Sequence, residues 1–347
     1  MTAINTDFGK DLSKYGAFDF NACYNCGTCT AVCTLSTEED SFPREMQRFS
    51  VLGLEDDLKG SLKPWLCYYC GQCTTYCPQN ANPGELMMSL RRWLISVYDW
   101  TGLSGLLYKS LPATTAGMIL IAAVVLFYSF SVDFDLSRIM HTGHTFEIIA
   151  IVGVFSIILL PNLIRMWWFI ILKPRIQVPV INYLKALWDL IVHMFTQKRA
   201  LGCDDNELRW FEHFILVLGY LGLLFTTVFL NWFSSDSVFV IVMGYIVSII
   251  VFTVTLIFVY DRIRKKDEIS KYSQPSDWLF IIWLTAMGLS AFIVRLFIDT
   301  GLLENNKWLY LVHLIILAQW ALIIVPFGKW THFLYRSFAM YFHRVIS

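Results

Sequence analysis

The sequence predicts an all-α protein in two parts, a small cysteine-rich helical domain over residues 1–98 and six membrane-crossing helices within residues 99–347. Three observations carry that reading. Two cysteine runs, Cys23-Cys26-Cys29-Cys33 and Cys67-Cys70-Cys73-Cys77, share the spacing CxxCxxCxxxC and use eight of the nine cysteines. The chain is 56% hydrophobic and only 16% charged, with a mean hydropathy of +0.54, which is too apolar for an ordinary soluble protein. That apolarity is also lopsided, since nearly every long apolar run lies beyond residue 100.

Each run suits three thiolates around one [4Fe-4S] cluster, with the fourth cysteine sent to its neighbour. Two clusters are therefore expected. By this crossover Cys23, Cys26, Cys29 and Cys77 hold one cluster, and Cys67, Cys70, Cys73 and Cys33 hold the other. Pro78 follows the second run, whereas Thr34 stands in the corresponding place after the first. Zinc is the competing metal, but its sites usually present two CxxC pairs separated by a longer loop. Disulfides need an oxidising compartment, and Asp7, Lys10, Asp11 and Lys14 interrupt any apolar signal-peptide core ahead of the runs.

Between the runs, Pro43 precedes Arg44, Glu45 and Met46 and reads as the start of a short helix. Pro78 to Gly84 is a turn, followed by a helix over about 85–98 that carries Arg91 and Arg92 beside its apolar residues. Trp100 to Leu111 is amphipathic and aromatic, as expected of a segment lying at a lipid interface. Six stretches then have the length of about 20 residues that a bilayer requires, over about 113–130, 146–172, 210–233, 237–260, 278–299 and 308–330. The loop after the second holds Lys173, Arg175, Lys185, Lys198, Arg199 and Arg209, and the loop after the fourth holds Arg262, Arg264, Lys265, Lys266 and Lys271. By the positive-inside rule both loops, both termini and the cluster domain face the cytoplasm, with the chain a multi-pass protein of the inner membrane. Ile181 to Arg199 reads as an interfacial helix, and Cys203 as a buried or interfacial thiol without a cofactor role. The zero formal net charge gives no global argument for nucleic acid.

A cluster domain tied to six spans calls for an electron carrier inside the bilayer, and haem b between two histidines is the usual one. His213 begins the third span and His332 lies just past the inner end of the sixth, so these two share a depth. His313 lies nineteen residues before His332, about 28 Å along a straight helix, and so marks a second level. Its candidate partner is His144, in the segment His141-Thr142-Gly143-His144 that precedes the second span; His141, His193 and His343 are read as non-ligands. Among the charges within the spans, Arg165 reads as snorkelling inward. Arg295 reads either as a partner of Asp299 one turn on, or as a contact for a haem propionate or a quinone.

The double cysteine domain resembles the small iron-sulfur subunit of heterodisulfide reductases. The third to sixth spans, with His213, His313 and His332, look like the di-haem cytochrome b subunit of respiratory nitrate reductase. A fusion of the two is similar to the membrane C subunits of the quinone-interacting membrane-bound oxidoreductase (Qmo) family. This resemblance implies an electron-transfer subunit of a quinone-interacting oxidoreductase, carrying electrons from menaquinone in its reduced form to a cytoplasmic acceptor. Flavin- and iron-sulfur-containing soluble subunits of the A and B type would be partners, with adenylylsulfate reductase of sulfate reduction as acceptor. It also implies that His213 and His332 hold the inner haem and that His313 is one ligand of the outer one. The nitrate-reductase pattern has a further histidine where Leu223 or Leu224 stands here, and His144 is the expected replacement. Two other functions fit part of the sequence. A heterodisulfide-reductase-like or sulfite-reduction complex uses similar modules, although the cysteine-cysteine-glycine motif of disulfide chemistry is absent from the chain. A membrane redox sensor would need an output domain, and only about 17 residues follow the sixth span.

Overall fold

The computed structural model describes residues 4–198, 201, 207–229, 237–265 and 268–347. The thiol reading of Cys203 falls outside them. All regular elements among the described residues are helical, as the composition and periodicity predict. Short helices, Phe8–Ser13, Thr28–Ala31, Arg44–Leu52, Glu55–Lys59, Lys63–Leu66 and Gln72–Thr75, make up the cysteine-rich part. They pack around a longer one, Pro83–Tyr98, which opens with a proline in its first turn, where no backbone donor is needed.

Among the described residues six helices are long and apolar enough to cross a membrane: Leu111–Ser131, Leu136–Leu172, Glu207–Thr226, Val238–Arg264, Pro275–Asp299 and Glu304–Ile346. The second begins ten residues earlier than hydropathy suggests. Asp135 explains this, because its side chain accepts from the backbone N–H groups of Ser137 and Arg138 and caps the helix there. His141 and His144 therefore lie within a helix, and not in an outer loop as the sequence suggested. The last segment departs further from expectation. Lys307–Gln319 passes through a π-turn, Trp320–Ile324, and a single turn, Val325–Phe327, and then breaks at Gly328, whose backbone is extended. A new helix, Thr331–Ile346, follows. The tail of the sequence reading is thus an ordered helix, and Val180–Thr196 packs along it. Their seam includes Asn182 Nδ2 donating to Val345 O at 3.3 Å and Tyr341 Oη donating to Tyr183 O at 3.1 Å.

One apolar core runs through both parts of the chain. It joins Trp65, Leu90 and Tyr98 to Leu163 and Met166 of the second span and to Tyr335 and Phe342 of the final helix. The Pro83–Tyr98 helix is buried on nearly every side, including Arg91 and Arg92, because it is wedged between the cysteine loops, the second span and the final helix.

Its two arginines are the joint. Arg91 donates through Nε to Pro64 O at 2.6 Å, and through Nη2 to Cys67 O, which holds the start of the second cysteine run. Arg92 donates through Nη1 to Glu85 Oε1 and through Nη2 to Asp277 Oδ2, both at 2.9 Å. Asp277, at the start of the fifth span, also accepts from Lys329 Nζ at 2.6 Å. Tyr69, between two cysteines, donates its hydroxyl to Glu85 Oε2 at 2.7 Å. An unbroken chain of charged and hydrogen-bonded groups thus links the second cysteine loop to the fifth span and to the segment entering the last helix. Removing its centre would leave two buried carboxylates short of a partner. Arg92→Met is therefore expected to destabilise the chain by about 3–5 kcal/mol, read as a lower unfolding temperature in detergent. An unchanged temperature would show that water reaches these groups.

Candidate functional site

The two cysteine runs fold alike, and the likeness exceeds their spacing. Each reads Cys-Tyr-x-Cys-Gly-x-Cys-Thr-x-x-Cys. In each, the residue two after the first cysteine, Asn25 or Tyr69, takes a left-handed conformation with φ of 65° or 60°. Glycine follows the second cysteine, Gly27 at φ +87° and Gly71 at φ +84°, and caps a single-turn helix. A side chain there would be strained, so glycine is what allows the third cysteine to swing back toward the first two. The two single-turn helices pack against each other, which brings the runs side by side. This repeat of Tyr24 with Tyr68, Gly27 with Gly71 and Thr30 with Thr74 was present in the sequence but overlooked beside the cysteines.

The side-by-side packing decides which thiols meet. Cys23, Cys26, Cys29 and Cys77 line one small cavity. Cys33 lies instead within electrostatic reach of Cys67 and Cys70, and Cys73 within reach of Cys67, Cys70 and Cys33. Among the described residues no three cysteine, histidine or acidic side chains converge on a point that would hold a single metal ion. Four thiols spread around a cavity suit the corners of an iron-sulfur cube. Backbone donors already point at several sulfurs: Asn25 N lies 3.4 Å from Cys23 Sγ, Tyr69 N 3.3 Å from Cys67 Sγ and Ala81 N 3.3 Å from Cys77 Sγ. Burial pushes Cys29 up to about 11, with the charge of Cys23 adding to the effect, and burial also raises Cys33, Cys67 and Cys73. Such thiols ionise when iron cations offset their charge, which is what a bound cluster supplies.

Next to the second run stands the inner histidine pair. Trp65, two residues before Cys67, is fully buried and packs its ring against His332 at 5.8 Å between centroids. His332 sits in the first turn of Thr331–Ile346, and His213 in the first two turns of Glu207–Phe229. The two are close enough for their charges to interact, and Lys329 and Arg336 lie within electrostatic reach of both. Neither imidazole makes a hydrogen bond among the described residues. A pair of imidazoles with uncommitted nitrogens on two helices, ringed by cations, matches what a haem iron and its propionates need.

The outer histidines are arranged differently. His313 holds its Nδ1 2.8 Å from Ser290 Oγ, which leaves Nε2 for another partner. His144 places Nδ1 4.0 Å from Glu147 Oε2, and its Nε2 is buried without a hydrogen-bond partner. Their helices touch at Gly143, where an added Cβ would fall 2.8 Å from the Tyr310 hydroxyl. No hydrogen bond, ring contact or electrostatic link joins His144 to His313 among the described residues. His193 is buried in Val180–Thr196.

The charges within the spans resolve simply. Arg295 and Asp299 form an ion pair, and Tyr245 donates to the same carboxylate at 2.8 Å. Arg165 donates to Val97 O at 3.1 Å and lies over the Phe169 ring, so it ties the second span to the Pro83–Tyr98 helix.

Residues 19–81 match the family model of a 4Fe-4S dicluster domain. Neither a curated protein nor a solved structure matches the chain. With the six apolar helices, the dicluster match makes this a membrane protein with an iron-sulfur electron-transfer domain.

Proposed function

We propose that the chain is the membrane subunit of a quinone-interacting oxidoreductase and links the quinone pool to redox proteins in the cytoplasm. Cys23, Cys26, Cys29 and Cys77 would hold one [4Fe-4S] cluster, and Cys67, Cys70, Cys73 and Cys33 the other. His213 and His332 would hold haem b on the inner side. His313 with His144 is the proposed pair for a second haem, supported by the buried and unused Nε2 of His144. Bound in these places, clusters and haem supply reversible one-electron chemistry, while the chain fixes their order and excludes water.

The observation that carries this reading is the contact of Trp65 with His332. One buried indole bridges the cysteine domain and the histidine pair, so the two sets of ligands stand next to each other and not at opposite ends of the molecule. The basic loops favour both termini on the cytoplasmic side of the inner membrane, and with the fusion of two modules this favours soluble flavin- and iron-sulfur-containing partners of the A and B type. Menaquinol would be the donor and adenylylsulfate reductase the acceptor. A redox titration of the purified chain, followed by visible and electron paramagnetic resonance spectra, tests the proposal. It should show haem b together with cluster signals, and clusters without haem would reduce the chain to a membrane-anchored ferredoxin.

The cysteine domain is also where soluble partners should dock, since Tyr24 and Tyr76 stand exposed beside the clusters. Tyr24→Ala with Tyr76→Ala is expected to weaken partner capture by about 2–4 kcal/mol in a pull-down and leave cluster absorbance intact. Undiminished capture would move the interface to the basic loops.

A further inference from the structure

An open cleft of about 230 Å³ lies where the cysteine domain meets the membrane helices. Its walls come from three places: Leu107 to Thr114 at the entry to the first span, Gln274 to Phe280 at the start of the fifth, and Ile323 to Lys329 around the break in the last. Lys14, Tyr15 and Arg92 close it on the side of the cysteine domain. The walls have the mixture typical of small-molecule sites, apolar surface with a few converging polar groups.

We propose that this cleft binds the ring of a quinone, with the prenyl tail leaving between the fifth span and the amphipathic helix Leu103–Lys109. The proposal rests on the reading of the chain as quinone-interacting and adds where the quinone sits. Leu111, Leu279, Phe280, Ile323, Ile324 and Phe327 give the cleft an apolar side. Tyr108 lines it, and among the described residues its buried hydroxyl has no hydrogen-bond partner, nor has Arg92 Nε. A buried hydroxyl left unpaired costs free energy, and the carbonyl oxygen of a bound ring would satisfy it.

Charge separates a quinone from the other amphipathic candidate, a phosphate-bearing lipid headgroup. Most of the positive charge at the cleft is offset, with four cations facing three carboxylates: Lys109 pairs with Asp11 at 2.8 Å, Lys14 approaches the same carboxylate at 3.6 Å, Lys329 pairs with Asp277, and Arg92 lies between Glu85 and Asp277. Little positive charge is left over for a phosphate, whereas a neutral ring needs only hydrogen-bond donors and apolar walls. Position fits as well. Lys329 lines the cleft and lies within electrostatic reach of His213 and His332. Arg92 lines it and belongs to the chain of groups that begins at Tyr69, beside Cys70. A ring in the cleft would thus stand beside both the cysteine domain and the inner histidine pair.

The test is photolabelling of the full-length chain in nanodiscs with an azido-naphthoquinone carrying a short prenyl tail, mapped by peptide mass spectrometry. Label is expected on peptides covering 103–114, 275–280 and 323–329, displaced by excess menadione. Tyr108→Phe should lower labelling about fivefold, the value of one hydrogen bond, and Leu279→Trp should abolish it by filling the cleft, with cluster absorbance unchanged in both. Label confined to the outer ends of the helices, near His144 and His313, would overturn the cleft while leaving the quinone reading standing. No specific label anywhere would overturn both. Displacement by phosphatidylglycerol but not by menadione would make the cleft a lipid site and overturn the proposal.

Discussion

Cys33→Ser is expected to destroy the cluster held mainly by the other cysteine run. Iron and acid-labile sulfide should fall from about eight to about four per chain, and the surviving electron paramagnetic resonance signal should belong to the cluster of Cys23, Cys26 and Cys29. The reason is geometric. Cys33 follows those three in sequence, but its sulfur lies within electrostatic reach of Cys67, Cys70 and Cys73, while Cys77 lines the cavity of the first run. Serine removes the thiolate with little change of shape, so loss of a whole cluster would report ligation and not misfolding. The complementary variant, Cys77→Ser, should remove the first run's cluster and spare the second. If each substitution instead damaged the cluster of its own run, the crossover would be wrong. Stoichiometric zinc in the native chain would remove the iron reading altogether.

How much of this was legible depended on whether the signal was local. The cysteine spacing marks an iron-sulfur domain within two short runs, and the spans announce themselves by composition, so the all-α class and the two-part order could be read directly. Arg92 and Asp277 could not, because 185 positions separate them and nothing near either says that the other will be its partner. Arg91 and Arg92 looked like the polar edge of an amphipathic helix, yet both are buried, because the helix is covered on all sides by elements distant in sequence. The early start of the second span was a readable miss. Asp135 followed by Ser137 and Arg138 is a capping signal, but hydropathy alone discounts a helix turn that carries His141 and His144. The break at Gly328 had a partial mark in Pro326, which can kink a helix and re-aim its last turn, whereas the π-turn before it is not encoded by any simple residue pattern. The buried Arg92–Asp277 pair and the break at Gly328 both concern how the two parts are joined, and the joint is where the histidine pair and the cleft lie.

His213→Ala should remove one haem b component and leave the other spectrally intact, and the break at Gly328 is what makes the pair behind this prediction possible. On one straight helix, nineteen residues would turn His332 by about 100° away from His313, and a ligand aimed at the inner haem would point elsewhere. The last segment is not straight. Its π-turn, single turn and extended glycine separate His313 from His332, so His332 belongs to a helix with its own direction and packs against Trp65. The inner pair is then free of the phase set by the outer histidine. The outer pair has no such freedom. The second and sixth helices touch at Gly143 and Tyr310, and the residues that would hold an outer haem there are His313 and His144, whose Nε2 is buried and unused. His144→Ala should accordingly remove or shift only the outer component in a potentiometric titration. An unchanged two-component titration after His144→Ala would assign the outer ligand to another residue. A native chain that titrates as a single haem would leave His313 and Ser290 as a hydrogen-bonded pair without a cofactor.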